Sequence, residues 1–222
     1  MAVRPLLSEP EQRKAEILLR NASAAGEALL AAAFYEKLGF ASNPNASPQL
    51  TDLLLDIMQD TSSDFTMTFR QLAFVTIDEM SDPKVLGKHW ALKVFSSHGK
   101  FKEFVNMYKQ YMILEGWYLL SLYSYYFNYF VVCVHNGIFL LVSGLTDEER
   151  RSNMLSKNPQ YVLRSWMAQE AIKLAEQDDF SGVHFLLEVL SNPFRINEEA
   201  ETKGFSGATP AWANCIRVSC SS

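Results

Sequence analysis

Leu50-Thr51-Asp52-Leu53-Leu54-Leu55-Asp56-Ile57-Met58-Gln59 is the stretch on which the fold class turns. Leu50, Leu53, Leu54, Ile57 and Met58 stand at i, i+3, i+4, i+7 and i+8, the repeat of one apolar helix face. A short amphipathic helix is therefore expected over 50–59. Working outward, residues 9–39 are rich in Ala, Leu and Glu, with Ile17, Leu18, Ala25, Leu29, Ala32 and Ala33 at helical spacing. Gly39 is a natural stop signal, and a loop rich in Asn, Ser and Pro follows over Ala41–Pro48. On the other side, Asp64 or Thr66 is placed to cap a helix that turns Phe65, Phe69, Leu72 and Ala73 inward.

The same period continues along the chain. Beyond Ser81-Asp82-Pro83, the apolar residues Trp90, Leu92, Val94 and Phe95 are followed by Phe101, Phe104, Val105 and Tyr108. Thr146-Asp147-Glu148-Glu149 opens a further helix with a polar cap and acids in its first turn. Leu163, Met167, Ala171, Ile172 and Ala175 form a stripe; Val183, Leu186, Leu187 and Leu190 form another, beginning near Asp179 and ending at Asn192-Pro193. No segment alternates apolar and polar residues convincingly. The expected class is all-α, or mostly α.

Composition narrows the function. A net charge of −5 and a pI near 5.4, with Lys and Arg scattered, argue against nucleic acid as a partner. Cys133, Cys215 and Cys220 are too few and too widely spaced for a disulfide-stapled domain or a zinc site. The first residues lack an apolar signal core, and Glu9, Glu11 and Glu16 spoil a transit-peptide pattern, so no targeting signal is evident. The Asn21 and Asn45 sequons then read as coincidental. From Gly116 through Thr146 no residue is charged and tyrosines and phenylalanines crowd together. Three readings of 111–144 stay open: a membrane helix of the roughly 20 residues needed, a buried or interface-forming helix, and an insertion, including translated intron.

Three blocks carry a family resemblance. The first is Asn158-Pro159-Gln160-Tyr161-Val162-Leu163-Arg164-Ser165-Trp166-Met167-Ala168-Gln169-Glu170-Ala171-Ile172 with Ala175-Glu176-Gln177-Asp178-Asp179-Phe180. The second is the end, Pro210-Ala211-Trp212 running to Val218-Ser219-Cys220-Ser221-Ser222, and the third is Asp64-Phe65-Thr66-Met67-Thr68-Phe69-Arg70-Gln71-Leu72. In this order they resemble the C-terminal portion of the selenoprotein O family, in its cysteine-containing form. Ser165, Trp166 and Ala211 depart from the family pattern, and 111–144 departs most.

The resemblance implies a protein-kinase-like fold and transfer of AMP from ATP to Ser, Thr or Tyr hydroxyls of protein substrates, with magnesium. It also implies a mitochondrial location in a eukaryote and a redox-active thiol at Cys220, whose family partner lies in the missing half. It divides the chain into a helical segment over 1–110 resembling part of the kinase-like C-lobe, the insertion 111–144, a helical pair over 145–205 and a redox tail over 206–222. No Gly-x-Gly-x-x-Gly, Walker loop or kinase catalytic loop is present. Asp64-Phe65-Thr66 and Asp179-Phe180-Ser181 look like truncated magnesium motifs, but each sits at an expected helix start where an Asp caps free amides. Likewise His89, His98, His135 and His184 read as surface or packing residues, and Trp90, Trp117, Trp166 and Trp212 as core anchors. Glu198, Glu199 and Glu201 read as a solvated acidic face. The chain is thus expected to hold no catalytic residue, cofactor or metal, and to act as a supporting, redox-regulated region of a protein adenylyltransferase. The alternative is a stand-alone helical interaction module, membrane-tethered if 111–144 spans a bilayer.

Overall fold

The computed structural model describes residues 8–40, 48–112 and 146–216. All regular structure among them is helical: α1 (Glu9–Lys37), α2 (Gln49–Thr61), α3 (Phe65–Leu72), α4 (Pro83–Leu86), α5 (Trp90–Phe95), α6 (101–112), α7 (Asp147–Lys157), α8 (Ser165–Ala175), α9 (Ser181–Ser191) and α10 (Glu198–Thr202). Short 3-10 turns lie at Glu79–Ser81 and Ala211–Cys215. The expectations for 111–144, Cys133 and Cys220 lie outside the described residues, save that Tyr111 and Met112 end α6.

Local chemistry sets the boundaries. The α3 start is capped by Asp64, whose Oδ1 accepts from the Met67 amide at 2.8 Å. At α7, Thr146 and Glu149 cap each other's backbone amides in a capping box. Asp179 accepts from the Ser181 amide at 2.9 Å just ahead of α9. Both acids suspected of mimicking a magnesium motif therefore bind helix-start amides.

Two apolar clusters organise these helices. The larger gathers the C-terminal end of α1 with α2 to α6 and α7; Leu38, Leu54, Ile57, Phe95, Phe104 and Met154 are fully enclosed in it. Full burial of each such side chain contributes roughly 1.5–3 kcal/mol. The smaller is built by α8, α9 and α10 around Tyr161, Trp166, Met167, Leu186, Val189 and Phe205. Trp166 meets Phe205 and Trp212 edge to face, so Trp166 is a core anchor while Trp212 stays exposed.

The inward assignment of Phe65 is overturned, and several residues read as apolar helical stripes are exposed too. Ile17, Leu18 and Leu29 are exposed because α1 joins the body only near its end; Leu29 is 73% accessible. Phe65, Val94, Leu163 and Ile172 are exposed as well. Periodicity locates an apolar stripe, but whether anything packs on it is settled by distant segments. Among the described residues α1 is also the one helix long and apolar enough to cross a membrane, by length and composition only.

The end of α1 is fixed by Gly39, whose φ of +89° is left-handed. A Cβ there would come within 2.8 Å of Arg150 Cγ and 2.9 Å of Met154 Cγ. Gly39→Ala combines backbone strain with a clash against buried atoms, and a loss of about 2–4 kcal/mol is expected in urea unfolding. An unchanged midpoint would refute this account of the α1–α7 contact.

Candidate functional site

The polar groups concentrate where the two clusters meet, at Asn158-Pro159-Gln160-Tyr161. Pro159 cannot continue α7, and the Asn158 side chain closes the helix end instead. Its Nδ2 donates to the carbonyls of Lys37 and Met154 at 2.8 Å each, while its Oδ1 accepts from Lys37 Nζ at 3.2 Å. Arg70, buried on α3, reaches the same turn: Nη1 donates to the Asn158 and Leu155 carbonyls at 2.7 and 3.0 Å, and Nε to Gln160 Oε1 at 2.9 Å.

From Gln160 the network passes into the smaller cluster. Gln160 Nε2 and the Tyr161 hydroxyl both donate to Glu201 Oε1, at 2.9 and 2.6 Å, and Ser206 Oγ donates to Oε2 at 2.6 Å. The Tyr161 hydroxyl accepts in turn from the Asn197 amide at 3.0 Å. Two further links run in parallel. Arg164 pairs with Asp64 at 2.5 Å, and Trp90 Nε1 donates to the Ser206 carbonyl at 3.3 Å.

Glu201 is therefore a bridging acceptor, yet it stays exposed like Glu198 and Glu199, so the three lie on the solvated face expected of them. Burial works against its charge, but the hydroxyls of Ser206 and Tyr161, the Gln160 amide and the Arg70 guanidinium together hold its carboxyl below the usual range. Burial, reinforced by the bond to Glu201, pushes the Tyr161 phenol up to about 12. It stays protonated and donating at neutral pH.

A second buried arginine anchors the larger cluster. Arg150 pairs with Asp147 at 3.1 Å and donates to the carbonyls of Leu72 and Val75 at 3.3 and 2.5 Å. It also donates to the Tyr108 hydroxyl at 3.4 Å, which donates onward to the Leu38 carbonyl at 2.5 Å. Every one of Arg70, Arg150 and Arg164 is thus engaged by an internal acceptor. Among the described residues the histidines take no part: His89 stacks on Phe74, His98 pairs with Asp60 and His184 is exposed, while His135 lies outside the described residues. Among the described residues no group of three His, Cys, Asp or Glu could hold a metal ion. Cys215 is an exposed free thiol at the end of the last turn.

An arrangement of this kind fixes helices against one another; it presents no nucleophile paired with a base. Sequence reasoning quoted Arg70, Asn158 and Gln160 within matched blocks but gave them no role. The available signal was an arginine set among core residues in Met67-Thr68-Phe69-Arg70-Gln71-Leu72, all of which are buried.

The described residues thus define a mostly helical class of protein, two apolar clusters joined by a polar turn. The chain belongs to the family described as protein adenylyltransferase SelO, matched over residues 27–191, well over half its length. Proteins named protein nucleotidyltransferase YdiU are similar to it. That of Xanthomonas campestris pv. campestris (strain B100) is 32% identical over 190 residues, covering 84% of this chain and 31% of the relative. That of Herminiimonas arsenicoxydans is 30% identical over 186 residues, covering 84% and 30%. That of Myxococcus xanthus (strain DK1622) reaches 49% over 83 residues, 37% of this chain and 17% of the relative. The chain spans about a third of the length of the relatives it matches most broadly.

The titrations make the junction pH-sensitive. A carboxyl lowered on folding contributes stability above its ordinary value of about 4.3 and loses it as pH falls through the folded value. A phenol raised to about 12 contributes below its ordinary value and loses it as pH rises toward that figure. Between pH 6 and 3 the urea midpoint is expected to fall further for the natural chain than for Glu201→Gln. Equal acid slopes would remove Glu201 from the bridge.

Proposed function

We propose that this chain is a bracing region of a SelO-type protein adenylyltransferase, a kinase-like protein that transfers AMP from ATP to Ser, Thr or Tyr hydroxyls of other proteins. The observation that carries the bracing role is the engagement of Arg70, Arg150 and Arg164 by internal carbonyls and carboxylates. A phosphate clamp needs cationic donors aimed at a ligand, and magnesium needs converging carboxylates. These arginines are held by the chain's own carbonyls and carboxylates, and the acids that look like truncated magnesium motifs bind helix-start amides, so none of these groups is aimed at ATP or magnesium. Family membership and the similarity to named nucleotidyltransferases support the activity of the whole protein; the residues performing it would stand elsewhere in a family chain.

Incubated with labelled ATP, magnesium and a protein acceptor, the purified chain is expected to transfer no label. Incorporation that depends on the chain, and that survives further purification, would overturn the bracing role.

Redox regulation through Cys220 is the finer part of the proposal. It is supported by the resemblance of the terminal block and by the exposure of the neighbouring Cys215, since an accessible thiol exchanges readily. Under mild oxidation, Cys220→Ser is expected to lose a mixed disulfide with glutathione that the natural chain forms. Equal modification of both would leave Cys220 without the role.

A further inference from the structure

Within α9, Val183, Leu187 and Leu190 follow one another at steps of four and three residues, which places them on a single face, and Phe180 and Phe194 flank the helix at its two ends. Only Leu190 packs against the smaller cluster. Phe180, Val183, Leu187 and Phe194 are 53, 43, 65 and 46% accessible. The buried residues of the same helix, Leu186 and Val189, border this stripe on one flank, so the apolar arc of α9 is wider than the part its neighbours cover. Gly182 holds α8 and α9 close, since a Cβ there would meet Leu174 Cδ1 at 3.0 Å and the Ala171 backbone at 3.2 Å. A helix whose apolar arc extends beyond its covered flank has room for a second packing layer.

We infer that this uncovered face is an interface for the remaining two-thirds of a SelO/YdiU-type polypeptide, the portion of the relatives that this chain does not match. The inference rests on the functional reading above. Two observations select this occupant over others. About 70% of each relative's length lies beyond the matched part, since the match covers only 30–31% of each. The matched span also runs through Ser191 at the end of α9, so the helix lies inside what the family shares. Charge agrees with an apolar contact: within α9 the only ionisable residues, His184 and Glu188, stand off the Val183–Leu187–Leu190 stripe, while Asp179 and Arg195 lie beyond the helix ends.

The test joins this chain to the unmatched two-thirds of the Xanthomonas campestris relative, replacing the relative's own matched third. Val183→Asp with Leu187→Asp is made both in that chimera and in the isolated chain. Because both side chains are exposed in the isolated chain, its melting temperature should move by less than about 2 °C. In the chimera the same pair should lower it by about 5 °C or more, since two buried leucine-sized groups are lost to charge. Equal shifts in the two contexts would assign the face to this chain's own core and overturn the inference, as would an insoluble chimera. Light scattering on the isolated chain tests the rival occupant: a dimer abolished by the substitutions would make the face a self-association surface. AMP transfer by the chimera is scored separately. Its absence alongside the context-dependent melting shift would count against the functional reading and leave the interface standing.

Discussion

A guanidinium with 1% exposure cannot stand in an apolar core unless every donor finds an acceptor, and the larger cluster is arranged around meeting that demand at Arg150. Asp147 supplies the counter-charge one turn back on α7, while the end of α3 and the residues after it turn the Leu72 and Val75 carbonyls inward. Tyr108 from α6 accepts from the guanidinium and passes a hydrogen bond to Leu38 at the end of α1. Burial pushes the Tyr108 phenol up, with Arg150 opposing, so it remains a donor. Segments more than a hundred residues apart in sequence are held in one register by this residue. Gly39 follows from the same constraint, because the Arg150 side chain fills the space that a Cβ would need.

The second knot, at Arg70 and Asn158, extends the logic across the boundary between the two clusters. Neither cluster offers a broad apolar face to the other there; the link is a relay of directional bonds through Gln160, Tyr161 and Glu201. Directional bonds fix angle as well as distance. Such a relay sets the orientation of the two clusters more sharply than nonspecific burial would.

The local part of this architecture was legible from the residues. The Leu50–Met58 stripe, the Asp64 and Thr146 caps, the Gly39 stop and the Asn192-Pro193 end each depend on interactions within a few positions, and each stands where the sequence placed it. The stripe residues Ile17, Leu29, Leu163 and Ile172, and Phe65, which was expected inward, are exposed because no described helix covers them. Glu201 is exposed as expected, but its bridging role was not legible: its hydrogen-bond donors, Gln160 and Tyr161, lie about forty residues upstream, and no local pattern announces them.

Sequence by itself determined the helical class, the helix ends and the family, because all three are written in short-range patterns of side-chain type. Only the tertiary structure decided which apolar faces are covered and which polar groups are bridges. Both depend on what a distant segment brings within about 3 Å, the reach of a hydrogen bond, and spacing along the chain carries no record of that.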